Sequence, residues 1–298
     1  MAPVDLLSID SLSDDEIGAL LDRGQYWAQA NRDLIADNAP LAGRIVFNLF
    51  YENSTRTLMS FATAAHRLGA SVVTLPVEQS SVRKGETLED TARTLNAMRP
   101  DVLVMRHPEN GSAAAVALIM DAAVINAGDG TNEHPTQALL DAATIRHRLG
   151  RIEGLKVAIC GDIKHSRVAR SNAKLLPRLG AEVRFAGPPE LMADGLPRLS
   201  VDEAIEGADV VMMLRVQRER LEDDLGDAPG EYLERYGLTA GRLARAAPGA
   251  VVMHPGPMNR GVEIDSSVAD DERRSLITLQ VAMGVAARMA CLEALVRG

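Results

Sequence analysis

Two rhythms of apolar residues alternate along most of this chain. Short continuous hydrophobic runs, the mark of strands buried on both faces, alternate with stretches whose apolar positions fall three or four apart, as on a packed helix. The runs lie at 44–50, 71–75, 101–105 and 122–126, then at 155–160, 182–186, 209–214 and 250–253. Helices are predicted between the first four near 55–68, 87–98 and 111–120, followed by a long one over 135–149. Ser13-Asp14-Asp15-Glu16 has capping-box spacing and predicts an amphipathic helix through Ile17, Leu20, Leu21 and Trp27. A final helix over about 273–296 is apolar on more than one face, which predicts burial against both halves of the chain or a partner. The expected fold class is α/β: two doubly wound domains, each with a central parallel sheet flanked by helices. Gly150 and Gly154 flank a short polar linker between the halves, and no sequence-level repeat is visible.

Composition narrows the function. A chain of 298 residues suits about two domains of ordinary size. The net charge of −9 argues against a general nucleic-acid or membrane-surface binder, so no such partner is expected. No run of about 18 apolar residues stands out, and no membrane span is expected. Cys160 and Cys291 lack metal-ligand spacing and suggest a reducing compartment. The first residues show no basic segment before an apolar core, so a cytoplasmic location is expected. An acidic protein that binds an anionic ligand must concentrate its arginines locally.

Several polar clusters stand where strands give way to helices. Ser54-Thr55-Arg56-Thr57 places three hydroxyls and a guanidinium at a helix start, where unpaired N–H groups and the positive dipole end attract an anion. A plain N-cap needs one hydroxyl, and four polar residues crowd this turn. Arg106, in Met105-Arg106-His107-Pro108, closes the 101–105 strand on the expected ligand side, although a strand-end arginine also suits simple solvation. Pro135 fits a first helical turn, which puts His134 at the cap and Gln137 one turn in. His134 is placed to donate to a carbonyl oxygen, with a satisfied capping histidine as the plainer reading; the Gln137 oxygen suits an amide NH₂. From composition alone, Ser80-Ser81-Val82-Arg83-Lys84-Gly85-Glu86 reads as a solvated charge run.

In the second half, Arg167 and His165 at a helix start would suit a carboxylate, and Gly161 begins a turn without the G-x-G-x-x-G of dinucleotide binders. Arg215 and Gln217 alternate onto one side if the strand ending at 214 stays extended. The loop His254-Pro255-Gly256-Pro257-Met258 is rigid and offers backbone carbonyls rather than a nucleophile. No G-x-S-x-G, H-E-x-x-H or Walker A pattern is present, so neither an evident nucleophile nor a metal is expected.

Taken in order, Ser54-Thr55-Arg56-Thr57, Ser80 with Lys84-Gly85-Glu86-Thr87, Arg106-His107-Pro108, His134-Pro135-Thr136-Gln137, Arg167, Arg215-Val216-Gln217 and His254-Pro255-Gly256-Pro257 resemble the aspartate/ornithine carbamoyltransferase family. Each motif is weak alone; seven in register are specific. The resemblance implies a carbamoyl-phosphate domain over 1–134, an interdomain helix over 135–149 and an aspartate domain over 150–275, with the terminal helix, 276–298, packing back on the first domain. It implies that Ser54, Thr55, Arg56 and Thr57 hold phosphate and that Arg106 bridges phosphate and carbonyl oxygen. His134 and Thr57 would join in polarising that carbonyl, and Gln137 would hold the carbamoyl NH₂. Ser80 and Lys84 would enter the neighbouring subunit's site, which implies a homotrimer with shared sites and reverses the composition-based reading of their loop. Lys84, Arg167, Arg215, Gln217, Pro257 and Met258 would serve aspartate.

Ornithine members of the family typically carry a Ser-Met-Gly loop and a His-Cys-Leu-Pro segment. Here Arg215-Val216-Gln217 and His254-Pro255-Gly256-Pro257 occupy those places, and a guanidinium suits the β-carboxylate of aspartate while repelling ornithine. The implied reaction is carbamoyl transfer from carbamoyl phosphate to the α-amine of L-aspartate, in de novo pyrimidine biosynthesis, with no cofactor. An ornithine-type enzyme and a catalytically silent assembly subunit are the alternatives. A silent copy has no need of the intact polar set. A regulatory chain or a dihydroorotase partner is left open.

Overall fold

The computed structural model describes residues 5–30, 39–77, 80–197, 199–216 and 230–297. Its first sheet holds β1 (Ile45–Phe50), β2 (Ser71–Leu75), β3 (Val102–His107) and β4 (Ala123–Asp129), all parallel, in the order β2-β1-β3-β4. Its second holds β5 (Lys156–Cys160), β6 (Glu182–Ala186), β7 (Val210–Met213) and β8 (Val251–Met253), again parallel, in the order β6-β5-β7-β8. Parallel strands require crossovers, which α2 (Thr55–Arg67), α3 (Leu88–Ala97) and α4 (Ser112–Ala117) supply in the first sheet and α6 (Arg167–Arg178), α7 (Val201–Ile205), α8 (Glu231–Tyr236) and α9 (Ala240–Leu243) in the second; α1 (Asp14–Gln29) precedes β1, α5 (Pro135–Leu149) follows β4, and α10 (Ser266–Ala269) and α11 (Ile277–Arg297) follow β8. The doubly wound α/β class expected from the hydrophobic rhythm is the one observed.

The chain forms two compact units, residues 1–143 with 281–298 and residues 144–280. In the first, the buried faces of β1, β3 and β4 meet α3 and α4 through Phe47, Leu49, Leu95, Leu103, Met105, Val116 and Val124. In the second, Ala158, Val211, Met213 and Val252 pack against Ile205, Leu238, Leu243 and Val268. Each sheet start is pinned by an aspartate just ahead of its third strand. Asp101 accepts the Ile45 amide at 2.8 Å, and Asp209 accepts the Lys156 amide at 2.8 Å.

Two differences from the sequence reading have physical causes. β3 runs on to His107, and its register with β4 shifts between Met105 and His107, so Arg106 lies inside the ladder, opposite Phe50. The terminal helix starts at Ile277 rather than near 273. The preceding residues extend along β8 instead, with Val252 donating to the Arg274 carbonyl and Leu276 donating to the Val252 carbonyl, both at 2.8 Å.

α11 also corrects the expectation that no apolar stretch reaches membrane-spanning length. Residues 277–296 are long and apolar enough by composition, but two thirds of that stretch is buried in the fold. Its two charged side chains, Arg288 and Glu293, are both almost fully buried. Glu293 accepts Arg23 Nε at 2.6 Å, Arg23 Nη2 at 2.9 Å and Trp27 Nε1 at 2.9 Å, which joins α11 to α1. Glu293→Ala should strand the indole N–H and the guanidinium together. Unfolding by heat or urea is expected to show a loss of about 2–3 kcal/mol, below the full cost of a broken buried pair because Arg23 keeps some solvent contact.

Candidate active site

In the first unit the site residues follow the carboxyl ends of three neighbouring strands. β1 leads into α2, β3 carries Arg106, and β4 leads into α5, so strand order alone gathers Ser54–Thr57, Arg106 and His134–Gln137 on one edge of the sheet. The Tyr51 amide donates to the Arg106 carbonyl at 2.9 Å, which carries the β1–β3 register one residue past the strand. Arg106 Nε in turn donates to Glu52 Oε2 at 3.1 Å.

The start of α2 is unlike the other capped helices. Ser13, Thr87, Ser166, Ser200, Thr239 and Asp265 all accept an amide N–H at the heads of α1, α3, α6, α7, α9 and α10. Ser54 occupies the same position on α2 with extended backbone, yet its hydroxyl makes no capping bond. No acidic residue lies in the first turn of α2, α5 or α6, whereas α1 and α3 begin with acids. The positive ends of these three helices are therefore left uncompensated by their own side chains. Thr55 and Arg56 are exposed while Thr57 is buried, so the turn presents its guanidinium outward.

The turn ahead of α5 is held by Asp129, which sequence reasoning missed. Its buried carboxylate accepts four donors: Gly111 N at 2.7 Å, Asn126 Nδ2 at 2.8 Å, Glu133 N at 3.0 Å and Asn132 Nδ2 at 3.0 Å. Four acceptor positions meet four donors, which fixes the segment that delivers buried His134. Glu133 anchors the same segment by accepting the Ile9 amide at 2.9 Å. Gln137 Nε2 donates to Asp141 Oδ1 at 2.9 Å. A carboxylate only accepts, so this bond sets the amide rotamer and turns the Gln137 oxygen away from Asp141.

His107 is not an available base. Its Nδ1 accepts the Glu109 amide at 3.1 Å, its ring meets Tyr51 edge-on at 4.6 Å, and burial pulls its pKa below the usual range. The two thiols are inert as well, since burial pushes Cys160 and Cys291 up to about 12.

Ser80 and Lys84 lie in the loop after β2, on the flank of the same sheet edge. Ser80 Oγ donates to the Val77 carbonyl at 2.8 Å, and Lys84 is exposed. Among the described residues no hydrogen bond or ion pair joins Lys84 to Ser54–Thr57.

In the second unit the pattern repeats. Arg167 opens α6 after β5, Arg215 follows β7, and the loop 254–259 follows β8. β5, β7 and β8 are neighbours, so these groups share one sheet edge. Arg167 is buried and Arg215 half-buried; Gln217 lies outside the described residues. The 254–259 loop is clamped from within. Gly256 N donates to His254 Nδ1 at 2.9 Å, His254 Nε2 lies 3.2 Å from buried Glu263, and the Asn259 amide donates to the same carboxylate. Pro257 is exposed, and Met258 is half-buried against the second core. Glu263, nine residues past His254, gave no signal in the sequence.

Fold and site together define a two-unit α/β protein that gathers arginines and helix starts at strand ends, a design for small anionic ligands. The chain belongs to the aspartate/ornithine carbamoyltransferase family: residues 4–147 match its carbamoyl-P binding domain and residues 153–295 its Asp/Orn binding domain. Aspartate carbamoyltransferase catalytic subunits are similar nearly end to end. That of Granulibacter bethesdensis is 57% identical, covering 98% of this chain and 94% of its own, and that of Rhodospirillum rubrum is 57% identical, covering 97% and 93%. Among solved structures, the aspartate transcarbamoylase of Trypanosoma cruzi in complex with carbamoyl aspartate and phosphate superposes with a TM-score of 0.85. It is 34% identical, with 98% of this chain and 96% of that one covered.

The unengaged Ser54 hydroxyl makes a prediction that separates cap from ligand group. Ser54→Ala should leave the melting temperature of the ligand-free protein within about 1 °C, whereas loss of a working cap such as Ser13 costs about 1 kcal/mol. The same substitution should reduce the rise in melting temperature that millimolar inorganic phosphate gives the wild type. Thermal melts with and without phosphate read both effects.

Proposed function

We propose that this chain transfers the carbamoyl group of carbamoyl phosphate to the α-amine of L-aspartate, giving N-carbamoyl-L-aspartate and phosphate. One observation carries the reading: a helix start with an unengaged serine, Thr55, Arg56 and Thr57 stands one strand from Arg106, with His134 and Gln137 at the next strand end. Phosphate takes the Ser54–Thr57 turn, where N–H groups and a guanidinium fork meet its oxygens. Arg106 spans phosphate and carbonyl, His134 and Thr57 donate to the carbonyl oxygen, and the Gln137 oxygen receives the carbamoyl NH₂. Arg167 and Arg215 take the two carboxylates of aspartate, with Gln217, Pro257 and Met258 lining the acceptor.

The neutral amine attacks the carbonyl carbon, negative charge gathers on its oxygen, and the C–O bond to phosphate breaks. Phosphate is a good leaving group and a capable acceptor for the amine proton, so no enzyme nucleophile or dedicated base is required. Catalysis then rests on positioning and on oxyanion stabilisation, where one preorganised donor contributes about 3–4 kcal/mol. The proposal includes a cytoplasmic homotrimer in which Ser80 and Lys84 complete a neighbour's site; the exposure of Lys84 supports this.

The purified chain should form N-carbamoyl-L-aspartate from carbamoyl phosphate and L-aspartate but give no citrulline with L-ornithine; activity with ornithine alone would overturn the assignment. Arg56→Ala and His134→Ala should chiefly lower kcat, by about 100-fold each if each removes a transition-state contact. Arg215→Ala should chiefly raise the aspartate KM, and an unchanged KM would remove Arg215 from the β-carboxylate. Shared sites make a separate prediction. Mixing impaired Lys84→Ala subunits with impaired Arg56→Ala subunits should raise activity well above either parent through hybrid sites, and mixed trimers no more active than the parents would count against sharing.

A further inference from the structure

We propose that Arg288, from its place on α11, is a positioning residue for substrate binding that holds the backbone of the first turn of α2 through Ser60. The inference rests on reading that turn as part of the carbamoyl phosphate site.

Arg288 is 3% exposed, among the most buried cations in the chain. Its Nη1 donates to Ser60 Oγ at 2.7 Å. Ser60 Oγ in turn donates to the Arg56 carbonyl at 2.7 Å and lies 3.0 Å from the Thr57 carbonyl. Two hydrogen bonds thus connect the guanidinium to the backbone of the phosphate turn. The charge of wholly buried Asp141, whose Oδ1 accepts Gln137 Nε2, adds an electrostatic attraction for the guanidinium. One buried cation therefore holds, through Ser60, the backbone that carries Arg56.

Burial alone would not select this group. Desolvation outweighs the attraction of Cys291 and Asp141 and pulls the Arg288 pKa down to about 10, and a hydrophobic residue of similar volume is often the more stable filling. The helix also gives up propensity to seat it. Gly284 lies in the interior of α11, where glycine costs about 1 kcal/mol relative to alanine. A Cβ there would stand 2.9 Å from Arg288 Nη1 and 3.3 Å from Leu140 Cδ2. The guanidinium rests over the Phe61 ring, 5.0 Å from its centroid, beside the residue next to Ser60 on α2.

The test uses the full chain with Ser60→Ala, Arg288→Lys and Gly284→Ala, followed by three measurements: inorganic phosphate affinity by calorimetry, KM for each substrate, and melting temperature. Lysine keeps the charge but, as a point donor without the planar fork, cannot reach Ser60 while stacking over Phe61. Each variant should weaken phosphate binding and raise the carbamoyl phosphate KM by about tenfold, with the aspartate KM at saturating carbamoyl phosphate changing less than about twofold. A purely structural role would lower the melting temperature and leave phosphate affinity and the carbamoyl phosphate KM within about twofold of wild type, and that result would overturn the proposal. Should Arg288→Lys fail to fold, Ser60→Ala decides, since it removes one hydroxyl. If the wild type forms no N-carbamoyl-L-aspartate, the reaction reading fails separately, and phosphate affinity in the variants still supports or overturns the positioning role.

Discussion

The parallel pairing of β1 with β3 is the constraint on which the first unit depends. Phe50 faces Arg106 across the ladder, and the Tyr51 amide extends that pairing by one further bond to the Arg106 carbonyl. Shifting this register by one residue would turn Arg106 to the opposite face of the sheet and separate it from the start of α2. It would also move Asn48 and Phe47, which carry buried contacts, onto the wrong sides. The core therefore enforces the geometry of the polar edge. Because β4 pairs with β3, the same ladder delivers His134 and Gln137, and Asp129 then locks the short turn that remains.

The sheet architecture was legible because parallel strands buried on both faces leave unbroken apolar runs. The run 209–214 encloses β7, Val210–Met213, which is buried throughout, and Pro135 marks the first residue of α5. The placement of the candidate residues was legible wherever it is local to one turn, as at Ser54–Thr57 and His134–Gln137, which stand at helix starts. What stayed hidden depends on distant partners. Asp129 takes donors from three segments, Glu293 binds Arg23 across 270 positions, and Ser60 looks like an ordinary helix residue until Arg288 arrives from the far end of the chain. The shift of the α11 start to Ile277 belongs to the same class, since helical periodicity gives no sign that 274–276 will be recruited beside β8.

The two units share a strand order that no repeat in the sequence announced. With the structure in view, the correspondence is short but chemical: Asp101-Val-Leu-Val-Met-Arg106 and Asp209-Val-Val-Met-Met-Leu-Arg215 each begin with the aspartate that pins the central strand and end with a site arginine. Between those ends only hydrophobicity is held in common, which is why a sheet can be duplicated in space without leaving a readable repeat. The same device, an arginine delivered by the third strand, thus occurs once in each unit.

The Glu52–Arg106 ion pair has a consequence for which anions the site accepts. With a carboxylate already on the guanidinium, an arriving anion exchanges with an internal competitor rather than filling an open position. A singly charged anion such as chloride or acetate restores roughly what it displaces. In the proposed site a doubly charged phosphate group would bring more charge than it removes, with Arg56 and the α2 dipole to meet the surplus. Under the proposed reading, discrimination among anions thus begins as a count of charge, before the shape of the carbamoyl group is read.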